Sequence, residues 1–310
     1  MYIKSHIPQT YYIVLHHLKS QSPKAHDPTM EETTATIMAA LSTLTSSHLS
    51  DLTNTILSAT HHRLHRLSFL LSSPTLFSLS LHHLHKLSLH QKTLLIARHL
   101  LSSLHHLTRH LISSSPSPLS TSMRQRETDA VLLLLLFCDT HKHNPEALDA
   151  PHSKWRVNMC KLYSHNLLNL SSSSFIPFGT CSGTILIPYI EMLARCWRMV
   201  EAMGCGGGGG GGKEVGEVAA AVAAVVALPA VEVVVGGKEC VICKEEMRIG
   251  RDVCELPCQH LFHWSCILPW FAKRNSCPCC RFRLPSDDVF GEIQRLWEVL
   301  VKMGGKEYLG

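Results

Sequence analysis

The chain has 310 residues, about two domains' worth at roughly 100–200 residues per domain, which excludes a single small stapled module. Hydrophobic residues reach 45% and charged residues only 17%, against ~25% in average soluble domains, so there is aliphatic surface for a core and little charge to spare. The net charge of +5 is too weak to argue for nucleic acid, and no nucleic-acid partner is expected.

Thirteen cysteines are an odd number, and eight of them fall between Cys240 and Cys280, which fits a metal site in a reducing compartment better than a secreted disulfide framework. The longest apolar runs, eight residues at 131–138 and eleven at 218–228, fall short of the ~20 that a spanning helix needs. The amino terminus carries no apolar core of secretory-signal length, and residues 1–29 are expected to be a disordered leader or a gene-model extension ahead of Met30-Glu31-Glu32.

Residues 30–203 are expected to form an α-helical domain. From Thr33 to Arg126 the only acid is Asp51, against eight Lys/Arg. Leu49, Leu52, Ile56, Leu64, Leu67 and Leu71 follow a cap at Ser47 with helical periodicity. Ser73-Pro74 opens a second helix through Leu76, Leu79 and Leu87, because proline suits the first helical position. A third runs from Ser88 to Leu111, and the segments HRLHRLS and HHLHKLS hint at helical repetition. Further helices are predicted at Leu132–Phe137, Lys161–Leu170 and Pro188–Met203. The histidine doublets, such as His61-His62 and His105-His106, point about 100° apart on a helix and read as a polar face, not as metal ligands.

Residues 204–235 read as a linker, since the seven glycines 206–212 lose the most entropy on ordering; the Ala/Val stretch is expected to add a short helix and Val231–Val235 an extended lead-in. A finger follows at residues 236–284. Its spacing is Cys240-x2-Cys243-x14-Cys258-x-His260-x2-His263-x2-Cys266-x10-Cys277-x2-Cys280. Each close pair supplies two thiolate or imidazole ligands, and four pairs fill the tetrahedral shells of two Zn²⁺ ions. Cys279 is a weaker alternative to Cys280, and Cys254 reads as a spare thiol. At residues 285–304, Ser286-Asp287-Asp288 caps an amphipathic helix striped by Val289, Ile293, Leu296, Trp297, Leu300 and Met303 and ended by Gly304. Packing on the finger is its expected role, and pairing of two chains the alternative.

The ligand order, together with Leu256-Pro257-Cys258, Phe262-His263, Cys266-Ile267, Trp270 and Cys277-Pro278-x-Cys280-Arg281, resembles the RING-H2 fingers of E3 ubiquitin ligases. Trp270 lies too far ahead of Cys277 for a plant homeodomain finger. The resemblance implies a cross-brace, with Cys240, Cys243, His263 and Cys266 on one structural Zn²⁺ and Cys258, His260, Cys277 and Cys280 on the other. It implies as partners a ubiquitin-conjugating enzyme (E2), contacted by Ile242, Trp270 and Pro278, and ubiquitin, with Arg281 as the linchpin that bridges the two. Ubiquitin would then pass to a lysine of an unknown protein substrate without a covalent intermediate on the finger. The alternative is a zinc-braced interaction adaptor without ligase activity.

The segments MAALSTL, SSPTLFSLSLHHL and CPCCRFRLPSDDVFGEIQRLW resemble a plant family of amyloplast-associated RING ligases of shoot gravitropism. That wider resemblance implies action at the plastid surface, on its cytosolic face, and an influence on how plastids engage actin; a cytoplasmic location is the alternative. The expected fold is thus mainly α, with a helical domain, a Gly-rich linker, a small RING-H2 finger and a C-terminal amphipathic helix.

Overall fold

The computed structural model describes residues 29–112, 123–173, 182–204 and 218–305. The expected leader at 1–29, apart from Thr29, and the glycine run at 206–212 lie outside these residues. The described residues divide into two compact units, one holding those within 29–110, 123–204 and 298–305, the other residues 111–112 and 218–297.

The first unit is helical, and its helices start where the sequence supplies caps. Helix α1 (Met30–Ser42) opens with a capping box: the Thr29 hydroxyl accepts from the Glu32 N–H while the Glu32 carboxylate accepts from the Thr29 N–H. Helix α2 (Ser46–Ser72) is capped by Thr45 rather than Ser47, because the Thr45 hydroxyl is the one placed to accept from the His48 N–H at 3.4 Å. Helix α3 (Pro74–Lys86) has the expected Ser73 cap and first-turn proline. Its inner face is Phe77, Ser80 and Leu84, and Leu79 is 65% exposed, so the stripe lies one residue away from the predicted one.

Helix α4 (Leu89–Thr108) begins with a Ser88/Gln91 capping box and buries Leu95, Ile96, Leu100, Leu104 and Leu107 along one face. Helix α5 (Gln125–His143) encloses the predicted 132–137 segment, and a short α6 (Glu146–Asp149) leads into α7 (His152–Ser173). Helix α8 (Ser182–Gly204) starts six residues before Pro188, which therefore sits inside the helix and not at its start. Proline forfeits one helical hydrogen bond there. Burial of Leu186, Tyr189, Ile190, Leu193 and Ala194 offsets that loss, at roughly 1.5–3 kcal/mol for each large side chain.

Helices α4 and α8 make the most extensive pairing, and α8 also packs on α1 and α2. Polar ties fix the register: the Tyr189 hydroxyl donates to the Ser103 carbonyl at 3.1 Å, the Tyr163 hydroxyl to the Leu64 carbonyl at 2.9 Å, and Arg66 makes a two-pronged ion pair with Asp129 at 2.6 and 2.7 Å. No described helix is long and apolar enough to cross a membrane.

The second unit is built on a three-stranded antiparallel sheet, with order β1 (Ala230–Glu232), β2 (Asp252–Glu255), β3 (Leu261–Phe262), followed by helix α10 (Trp264–Phe271). A short helix α9 (Val222–Val226) precedes β1. Val253, Cys254, Leu256, Phe262, Ile267, Phe271 and Leu284 form its core, and Ala220, Leu228 and Val233 are part of the same cluster. Residues 218–235, predicted as linker, are therefore a packed arm. The Ala220 N–H donates to the Phe271 carbonyl and the Ala221 N–H to the Pro285 carbonyl, both at 2.9 Å, and β1 covers what would otherwise be an open edge of β2.

Helix α11 (Val289–Gly304) is capped by Asp288, whose carboxylate accepts from the Phe290 and Gly291 N–H groups. Ile293, Leu296 and Leu300 of the predicted stripe are buried, while Val289, Trp297 and Met303 are half-buried.

Candidate zinc centres and the RING surface

The two cysteine knuckles of the finger have the same backbone. Cys240 N–H donates to the Glu245 carbonyl, Lys244 N–H returns to the Cys240 carbonyl, and residues 239 and 246 form an isolated bridge. Cys277 N–H likewise donates to Phe282, Arg281 N–H returns to Cys277, and residues 276 and 283 form the bridge. To close this turn the residue after the second cysteine goes left-handed: φ is 64° at Lys244 and 61° at Arg281, a region that costs an L-residue roughly 1–2 kcal/mol. Gln259, between Cys258 and His260, takes φ 64° for a similarly tight turn at the end of the β2–β3 hairpin.

These turns bring the predicted ligands together in two groups of four. Cys240, Cys243, His263 and Cys266 present donor atoms within 4.8 Å of one another, and so do Cys258, His260, Cys277 and Cys280. The groups interleave along the chain. His263 Nδ1 lies 3.4 Å from Cys243 Sγ and 4.0 Å from Cys266 Sγ, and His260 Nδ1 lies 3.3 Å from Cys258 Sγ. A tetrahedron with Zn–S near 2.3 Å and Zn–N near 2.0 Å has an S···N edge of about 3.6 Å, so the donors stand at the right separation.

Their chemistry fits as well. Burial raises the Cys240 thiol, but the backbone N–H groups of Cys243, His263 and Ile242 outweigh it and bring the thiol down to about 7. The Phe282 N–H lowers Cys280 in the same way. Burial and the facing thiols push Cys266 up to about 11 and Cys258 up to about 12. Each quartet thus readily supports one thiolate and resists the next, a conflict that a divalent cation removes. Two Cys/His sites of this kind are consistent with two structural zinc ions, and among the described residues no other cluster of side chains is arranged to hold a metal.

Cys254 is fully buried, with its thiol pushed up to about 11 by burial, and Cys279 is exposed, so neither joins a quartet. Cys138 and Cys196 are buried thiols pushed up to about 12 by burial, and Cys160 is half-buried; Cys181 and Cys205 lie outside the described residues.

Of the predicted E2 contacts, Ile242 is 37% exposed at the tip of the first knuckle, and Pro278 is half-buried in the last. Trp270 is half-buried against the core; its Nε1 donates to the Ser276 carbonyl at 2.7 Å and the Arg274 guanidinium stacks over its ring at 4.9 Å. Arg281 is exposed and its side chain has no partner among the described residues. Two features escaped sequence reasoning. The left-handed turn at Lys244 and Arg281 was signalled only by their shared place after a C-x2-C pair. The arm's packing was hidden by low-complexity Ala/Val, although Ala220, Ala224 and Leu228 recur every four residues.

Interleaved quartets on a small sheet and helix define a RING finger, and residues 238–281 match the Ring finger domain family. The chain belongs to the family of E3 ubiquitin-protein ligase SGR9, amyloplastic, from Arabidopsis thaliana, to which it is 54% identical over 280 residues, covering 88% of this chain and 97% of the relative. Shorter similarities reach E3 ubiquitin-protein ligase RING1-like of Arabidopsis thaliana, 52% identical over 50 residues (16% of this chain, 15% of the relative), and E3 ubiquitin-protein ligase RNF181 of Xenopus tropicalis, 57% identical over 49 residues (16% and 31%). No solved structure matches the chain. The family is that of RING-type E3 ubiquitin transferases, enzymes that work with an E2 and ubiquitin.

Proposed function

We propose that the finger binds an E2 charged with ubiquitin and promotes transfer to a substrate lysine at the cytosolic face of a plastid. One zinc is held by Cys240, Cys243, His263 and Cys266, and the other by Cys258, His260, Cys277 and Cys280. Four protein ligands close each shell, so the zinc braces a small core and offers no position for a reacting water. Catalysis is then a matter of placement. Ile242, Pro278 and Trp270 dock the E2, and Arg281 donates from its planar fork to ubiquitin and E2 together, holding the thioester where the lysine amine can attack.

The observation that carries this reading is the pairing of two complete Cys/His quartets with an exposed Ile242 and an unpartnered Arg281. The plastid location rests on the amyloplastic relative that nearly the whole chain resembles. Reconstituted ubiquitination with a panel of E2 enzymes is the test: chain formation that requires zinc and Ile242 is expected. Zinc-loaded protein that discharges no E2 would leave the adaptor reading in its place.

A further inference from the structure

The helical unit contains a cleft of about 680 Å³ between α2, α4, α5 and α8, a size typical of small-molecule sites. Its exposed wall is mainly carbon, from Ala59, Leu132 and Met192 among others, although most lining side chains, such as Asn54, Thr55, Ser58 and Ser102, also carry a polar group. Both arginines that line it lie on α2 and differ in their state. Arg66 is spoken for by the ion pair with Asp129, whereas Arg63 is half-buried and has no hydrogen-bond or ion-pair partner among the described residues. No acidic side chain lines the cleft. His99 on α4 also lines the cleft, and its Nε2 is shut off from solvent and without a partner. A half-buried guanidinium left without a partner in a cavity is costly unless something completes it.

We infer that this cleft binds a small organic anion, its carboxylate or phosphate head on Arg63 and its apolar body along Ala59, Leu132 and Met192. The planar fork of arginine suits either head. Burial, followed by the nearby Arg63 charge, holds His99 down at about 4, so at neutral pH the ring is uncharged and Arg63 is the cation that an anion would meet. The site lies outside the finger and is independent of the ligase reading.

The test is titration calorimetry of the zinc-loaded full chain against four probes with one tail: octanoate, octyl phosphate, octanol and octylamine. The two anions are expected to bind, and the neutral and cationic probes to bind at least about tenfold more weakly. Preference between the anions identifies the head group. Arg63→Gln should bring anion affinity down to that of octanol, Arg63→Lys should retain part of it, and Ala59→Phe, which fills the cleft, should abolish binding of all four. Equal binding of all four probes, no binding of either anion, or anion affinity unchanged by Ala59→Phe would overturn the inference, and these outcomes decide it even should Arg63→Gln fail to fold. Ubiquitination activity, measured in parallel on the same protein, separates failure of this site from failure of the ligase reading.

Discussion

At Arg281 a backbone demand and a side-chain role meet on one residue. The knuckle turn needs φ 61° there, which glycine meets without strain, whereas the proposed linchpin needs a guanidinium. Arg281→Gly should therefore recover roughly 1–2 kcal/mol of local strain and lose about 0.5–1 to chain entropy, leaving stability unchanged or slightly raised. Discharge of the E2 thioester should nevertheless slow by about ten- to a hundredfold, with zinc content and E2 affinity preserved. Ile242→Ala should instead weaken E2 binding itself, and equal loss of binding in both variants would remove Arg281 from the linchpin role. Cys240 sits deepest in its quartet and carries the thiol most ready to ionise; Cys240→Ser should lower bound zinc from two per chain and unfold the finger, read by metal analysis and near-ultraviolet dichroism. His99 predicts an acid limb for the helical unit. Its folded value of about 4 lies below the ordinary 6.5, so the unfolded chain takes up a proton between those values that the native state refuses. Stability should be independent of His99 above about pH 6.5, fall by up to roughly 3 kcal/mol as pH drops to 4, and level off below. A denaturation series in which His99→Gln leaves that slope unchanged would discount the effect.

At the scale of elements, the arm of residues 218–235 behaves as part of the finger. Val231 and Val253 face each other in the β1–β2 ladder, Val233 and Leu228 enter the core, and Gly250, at φ 78°, closes the turn before β2 by donating to the Val233 carbonyl at 3.0 Å. A fragment of residues 218–305 should therefore melt well above one of residues 236–305 at equal zinc loading, since each large arm side chain returned to water costs roughly 1.5–3 kcal/mol. Equal midpoints would return the arm to the status of a linker. This element also shows what a sequence conceals. The two Cys/His quartets were legible because metal geometry forces fixed spacings, and the helices because caps such as Ser73-Pro74 and Ser88/Gln91 act within one turn. Strand β1 was read only as an extended lead-in, because three residues carry no periodicity and its partner β2 lies about twenty residues away. The start of α8 was missed because Pro188 reads as a beginning, and only the packing of Leu186 on the near side of it shows otherwise. The cleft was illegible for the same reason: Arg63, His99 and Tyr189 come from three helices, and no local rule joins them.

At the scale of the whole molecule, the helical unit is expected to set location. Its residues 33–126 hold one acid against eight Lys/Arg, a composition suited to an anionic membrane surface. The glycines at 206–212 carry no sequence feature that would transmit a fixed geometry to the finger, so the finger need not contribute to targeting. A fluorescent fusion of residues 30–203 should therefore decorate plastids, while a fusion of residues 218–310 stays diffuse. Ubiquitin conjugation requires an E2, and a finger tethered on the cytosolic side would meet one there, so protease added to intact plastids should remove the helical fusion while sparing a stromal marker. High salt should release it if charge provides the attachment, and should leave it bound if an apolar face does. A helical fusion that was diffuse, or that survived protease inside the organelle, would end the surface-ligase reading while leaving the zinc finger and its transfer activity untouched.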